Sequence, residues 1–60
     1  MEKILAEDVK VGMTVVNMSG DKYKVVKIDS DPYVPSRLRI HDKNGVRNCA
    51  GIKAPFYIVY

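Results

Sequence analysis

Few dipeptides limit a backbone as tightly as Asn44-Gly45 does here. It follows a run of clean alternation, Arg37-Leu38-Arg39-Ile40-His41-Asp42, and precedes Val46-Arg47-Asn48. Both central residues of a type I′ turn need positive φ, which Asn and Gly tolerate best, and that turn matches the right-handed twist of the strands it joins. The sequence therefore predicts a hairpin, with one strand over Arg37 to Asp42 and a return strand from Val46 that fades near Gly51. With the turn centred on Asn44-Gly45, Lys43 falls opposite Val46 and His41 opposite Asn48. Arg47 falls opposite Asp42, a natural cross-strand ion pair. Arg37, Arg39 and His41 share one strand face, while Leu38 and Ile40 share the other.

The rest of the chain reads in the same idiom. Met13 to Asn17 (MTVVN) is rich in β-branched residues and predicts a strand, followed by a turn over Met18-Ser19-Gly20-Asp21. Lys22 to Ile28 (KYKVVKI) predicts the next strand. Neither of its faces is wholly polar, as expected where a strand bends sharply. Asp29 to Ser36 (DSDPYVPS) is the longest irregular stretch, because Pro32 and Pro35 cannot donate to a ladder. Phe56 to Tyr60 (FYIVY) predicts a final strand. Ala6, Glu7 and Asp8 favour one short helical turn near residues 6 to 10, stopped at Gly12.

Five short strands with tight turns in 60 residues predict an all-β fold, a small five-stranded SH3-like barrel formed as a single domain over residues 1–60. Pairing the last strand with the first would keep FYIVY from being a bare edge. The expected core is Val15, Val25, Val26, Ile28, Leu38, Ile40 and Ile58, with Leu5 or Val9. The run Val11-Gly12-Met13-Thr14-Val15, then Gly20, then Tyr23-Lys24-Val25 resembles the opening of SH3-like barrels of the KOW and elongation-factor-P N-terminal type. The resemblance covers residues 6 to 28 and implies an architecture. In that family the next loop is glycine-rich with a basic tip that approaches RNA; here it is the acidic, proline-bearing DSDPYVPS, so the resemblance does not carry the translation-factor function.

Several chemistries are poorly served. One Cys, Cys49, excludes an intrachain disulfide and fits a reducing, cytoplasmic setting. The N-terminus does not read as a signal peptide, and no run approaches the roughly 20 apolar residues of a membrane span. Cys49, His41 and Asp42 have the types of a nucleophilic set but no recognised spacing, and as strand neighbours His41 and Asp42 point to opposite faces. A structural zinc site wants four ligands, more than one Cys and one His supply. No glycine-rich phosphate cradle exists. The expectation is a chain that is not an enzyme and carries no metal or cofactor.

Binding remains. Ten Lys and Arg against seven Asp and Glu give a net charge of +3. Arg37, Arg39, His41 and Lys43 form the best candidate patch, weighed against a solvated outer face of a sheet. Tyr33, stiffened between prolines in PYVP, is either an interface anchor or a cover for one end of the barrel. Strong DNA binders neutralise roughly 6 to 10 phosphates, and single-strand binders add exposed aromatics beside the basic groove. The patch has three full charges and a histidine. It better suits an acidic protein surface, and the favoured expectation is a small protein-binding adaptor or inhibitor, of a size found in phage or mobile-element accessory proteins. The alternative is a nucleic-acid-binding module. A 60-residue core is also small enough for a homodimer to widen its margin.

Overall fold

The strand expected over Lys22 to Ile28 is broken at Val25-Val26. In the computed structural model, which describes residues 1–60, the Val25 amide donates to the Met13 carbonyl (2.8 Å) and the adjacent Val26 amide to the His41 carbonyl (2.9 Å). Met13 and His41 lead into different sheets, so two consecutive donors tie the chain to both. On one side lies β3 (Lys22–Lys24) and on the other β4 (Lys27–Ser30).

The remaining strands are β1 (Glu2–Leu5), β2 (Thr14–Val16), β5 (Arg37–Asp42), β6 (Gly45–Gly51) and β7 (Pro55–Val59). One antiparallel sheet runs β1-β7-β2-β3 and the other β4-β5-β6. The all-β class holds, but the five-stranded barrel is corrected to seven strands in two sheets, with no single ladder closing them. One extra strand comes from the break at Val25-Val26. The other is β1, whose partners Phe56, Tyr57 and Ile58 lie at the far end of the chain and leave no local signal. The final strand does pair with Thr14–Val16, and β1 covers its other edge. The helical turn is a 3-10 turn over Ala6–Asp8, and no helix is long and apolar enough to cross a membrane.

The hairpin is present, but its register differs from the expected one. Lys43 and Asn44 occupy the turn with negative φ, and Gly45 follows at +121°. A type I′ turn at Asn44-Gly45 would need positive φ at Asn44. The cause is Asp42: its Oδ1 accepts the Asn44 N–H at 2.7 Å, drawing the turn back by one residue. Asp42 now faces Gly45 and His41 faces Val46. A register shift then places Ile40 opposite Asn48, leaving Arg47 as the unmatched residue of a bulge.

Ala6, Val9, Val15, Tyr23, Val25, Ile40 and Phe56 form the core, with Ile58 also buried. Ile28 and Leu38 pack against it half-buried. Val26 leaves the expected core: at the corner it is 46 % exposed while Val25 is fully buried. Asn48 shares the inward face of Ile40, so its side-chain carbonyl reaches across to the other sheet. It accepts from Tyr23 Oη at 2.7 Å and from Asn17 Nδ2 at 3.0 Å. Asn17 is buried, and its own Oδ1 accepts the Ser19 and Asp21 amides and so shapes the β2–β3 turn.

Urea unfolding should separate the two sides of the chain cleanly. Ile40→Ala opens a cavity in the core and should cost about 2–5 kcal/mol, whereas Val26→Ser should stay within about 0.5 kcal/mol. Comparable losses in both would place Val26 inside after all.

Candidate binding site

The basic ladder of β5 meets an acid that the sequence places ten residues earlier. Asp29 on β4 stands directly opposite Arg39. Arg39 grips it with two parallel bonds, Nε to Oδ1 and Nη2 to Oδ2, both 2.8 Å. His41 Nε2 lies 3.2 Å from Oδ1 and Lys27 Nζ 3.7 Å from Oδ2. The Arg39 bonds, aided by His41, hold the Asp29 carboxyl well below the usual carboxylate range, and Asp29 in turn raises Arg39. Arg37 donates through Nη2 to the Cys49 carbonyl at 2.7 Å. Lys43 sits beyond the strand, in the turn. The four residues therefore do not form one free cationic face: Arg39 and His41 are committed to Asp29, and Lys43 belongs elsewhere.

Tyr33 is 92 % exposed and does not fold over the core. Its loop is pinned from below, where Asp31 Oδ1 accepts the Tyr33 amide at 2.8 Å and the Val34 amide at 3.2 Å. Asp31 Oδ2 accepts from Cys49 Sγ at 3.2 Å. The Tyr33 amide and Cys49 keep Asp31 ionised, and the same carboxylate pushes the thiol pKa up. Cys49 is thus an exposed thiol donor rather than a packed side chain or a thiolate. Its partner is Asp31 and that of His41 is Asp29, so Cys49, His41 and Asp42 do not come together.

The one pocket, a cleft of about 390 Å³, lies between β3 and the β5–β6 turn. Lys22 and Lys24 approach from β3, Lys43 and Arg47 from the hairpin, and Tyr23 and Asp42 form part of its lining. Strand alternation sets the first pair: Tyr23 points inward, which sends both flanking lysines outward. The bulge sets Arg47. Its Nη1 meets Asp42 Oδ2 at 2.9 Å, its Nη2 lies 3.7 Å from Asp21, and its guanidinium sits 5.5 Å from the centre of the Tyr23 ring. The expected Arg47–Asp42 pair thus forms, though through the bulge instead of direct opposition. Asp42 is only 8 % exposed; the Asn44 amide and then Arg47 hold it ionised. Burial pushes the Tyr23 hydroxyl up to about 12, keeping it a donor to Asn48.

Sequence reasoning found Lys43 and missed Lys22, Lys24 and Arg47 as its companions. The signal for the lysines was the alternation in Lys22-Tyr23-Lys24. Nothing local showed that the hairpin turn comes to stand beside it.

The Asp29 clamp has a defined pH signature. Its native pKa lies below the unfolded value of about 3.9, so it stabilises the fold above that pH and is lost as pH falls below it. Urea titrations at pH 7 and in steps below about pH 4 should show an acid-side loss in the natural protein that is shallower in Asp29→Asn. Equal slopes would mean that the clamp contributes nothing. Arg37→Ser, which removes one exposed bond to a carbonyl, should move stability by no more than about 0.5 kcal/mol. No protein family model, curated protein or solved structure matches this chain, so the functional reading rests on this geometry.

Proposed function

We propose that this protein is a non-enzymatic binding module that docks an acidic surface of another protein at the cleft between β3 and the β5–β6 turn. One observation carries the reading. Four cations, Lys22, Lys24, Lys43 and Arg47, and one acid, Asp42, line the cleft, and the other six cations and six acids of the chain cancel. Even with Asp21, 3.7 Å from Arg47, counted against it, the cleft holds two of the chain's three net positive charges. Lys22, Lys24 and Lys43 have no carboxylate within ion-pairing distance, so their charge is free for a partner. In the same reading the two sheets are the halves of a small SH3-like barrel, with Val25-Val26 as its corner.

Magnitudes favour protein over nucleic acid. Arg47 is already held by Asp42 and Asp21, which leaves three lysines for phosphates. Each neutralised duplex phosphate contributes about −0.9 to the salt slope, and three fall short of the roughly 6 to 10 of strong binders. No exposed aromatic stands at the cleft for bases to stack on: Tyr23 is buried beneath Arg47, and Tyr33 occupies the loop at the opposite end of β5, about 20 Å away at the usual strand rise. Tyr33 is therefore a separate contact point, and Arg37 lies nearer to it than to the cleft.

Fluorescence anisotropy with an Asp/Glu-rich 20-residue peptide and with an oligothymidylate of equal length tests the reading. The peptide should bind more tightly, lose affinity with added salt, and weaken at least about tenfold for the Lys22→Ser, Lys24→Ser, Lys43→Ser triple variant. Tighter binding of the oligonucleotide would transfer the cleft to nucleic acid.

A further inference from the structure

We infer that the acidic partner binds as an added β-strand, in extended conformation along the open edge of β3. The inference rests on the acidic-partner reading of the cleft and says how that partner is held.

The hydrogen-bond pattern of the first sheet leads there. The Val25 amide donates to the Met13 carbonyl and the Asn17 amide to the Asp21 carbonyl. In an antiparallel ladder hydrogen-bonded and non-hydrogen-bonded pairs alternate, so the pairs Thr14–Lys24 and Val16–Lys22 are of the second kind. The backbone N–H and C=O groups of Lys22 and Lys24 consequently point away from β2. β3 has no other strand neighbour, and no turn or loop group bonds to either residue. Two residues thus present unpaired main-chain donors and acceptors on the edge that borders the cleft, with their own free ammonium groups above.

An open edge recruits strands unless something discourages them, and lysines are a common deterrent. The deterrent is selective by charge. A second copy pairing here would set Lys22 and Lys24 against lysines. An acidic segment would instead gain main-chain bonds from the edge and charge compensation from the side chains, the usual division between affinity and specificity in strand addition. Lys22 and Lys24 are two residues apart on one face, so the carboxylates that meet them recur at every second position. The residue between them falls on the face of Tyr23, and Tyr23 and the half-exposed Val26 are the apolar residues of the cleft lining. The recognised chemistry is acidic-apolar-acidic, with Lys43 and Arg47 flanking it from the hairpin.

The test uses the full chain, labelled with 15N, and an eight-residue peptide alternating Val and Glu. Two isomers carry backbone N-methyl groups, one on every Glu and the other on the Val residues, so that each blocks a different edge while every carboxylate is kept. On binding the unmodified peptide, the Lys22 and Lys24 amides should exchange at least about tenfold more slowly. One N-methyl isomer should bind at least about tenfold more weakly and the other normally. If all three peptides bind alike and both amides exchange unchanged, strand addition is overturned while docking of an acidic partner stands. If no peptide binds, or oligothymidylate binds more tightly than all of them, the acidic-partner reading falls and the inference with it.

Discussion

The corner at Val25-Val26 is the constraint on which the other features depend. Two consecutive amides bond to carbonyls that lead into different sheets, Met13 just before β2 and His41 within β5. The side chains divide in the same way, Val25 into the core and Val26 to solvent. Because the chain leaves the first sheet there, β3 is limited to three residues and ends that sheet as an edge. The same step carries the chain into β4 and brings β5 alongside, so that the β5–β6 turn stands near the abandoned edge. The cleft is the space this departure leaves.

A polar knot spans the sheets where the corner does not. Asn48 from β6 accepts from Tyr23 of β3 and from Asn17 at the end of β2. Half-burying an amide is costly unless it is bonded, and satisfied networks help specify one arrangement. Every buried side-chain polar atom here has a partner. The knot also depends on the bulge: without the extra residue at Arg47, Asn48 would not share the inward face of Ile40, and Arg47 would not reach both Asp42 and the Tyr23 ring.

Charge is partitioned along β5. At its centre Asp29 gathers Arg39, His41 and Lys27, and at its start Asp31 organises the Tyr33 loop and Cys49. These contacts make the outer face of the second sheet a set of cross-strand pairs. Exposed pairs of this kind contribute little to stability, but they remove the ladder as a field. Without a carboxylate are Arg37, bonded only to the Cys49 carbonyl, and, past the other end of the strand, Lys43.

The sequence by itself determined the elements whose causes are local. Alternation fixed β5 to its observed ends, β-branched residues marked β2 and β7, prolines set the Tyr33 loop apart, and Ala6 to Asp8 made one helical turn. Val15, Val25, Ile40 and Ile58 could be assigned to the core because each lies on the apolar face of a recognisable strand. Only the tertiary structure decided the rest. β1 exists because β7 is there to pair with it. Val26 is outside because a backbone bond to His41 turns the chain. The hairpin shifted because the Asp42 side chain competes for the Asn44 amide, a choice that dihedral preferences for Asn-Gly do not contain. The ladder was legible as charges on one face, but its neutralisation was not, since Asp29 becomes the neighbour of Arg39 only through strand pairing. The cleft joins residues some twenty positions apart in the chain, and proximity of that kind is set by how sheets pack.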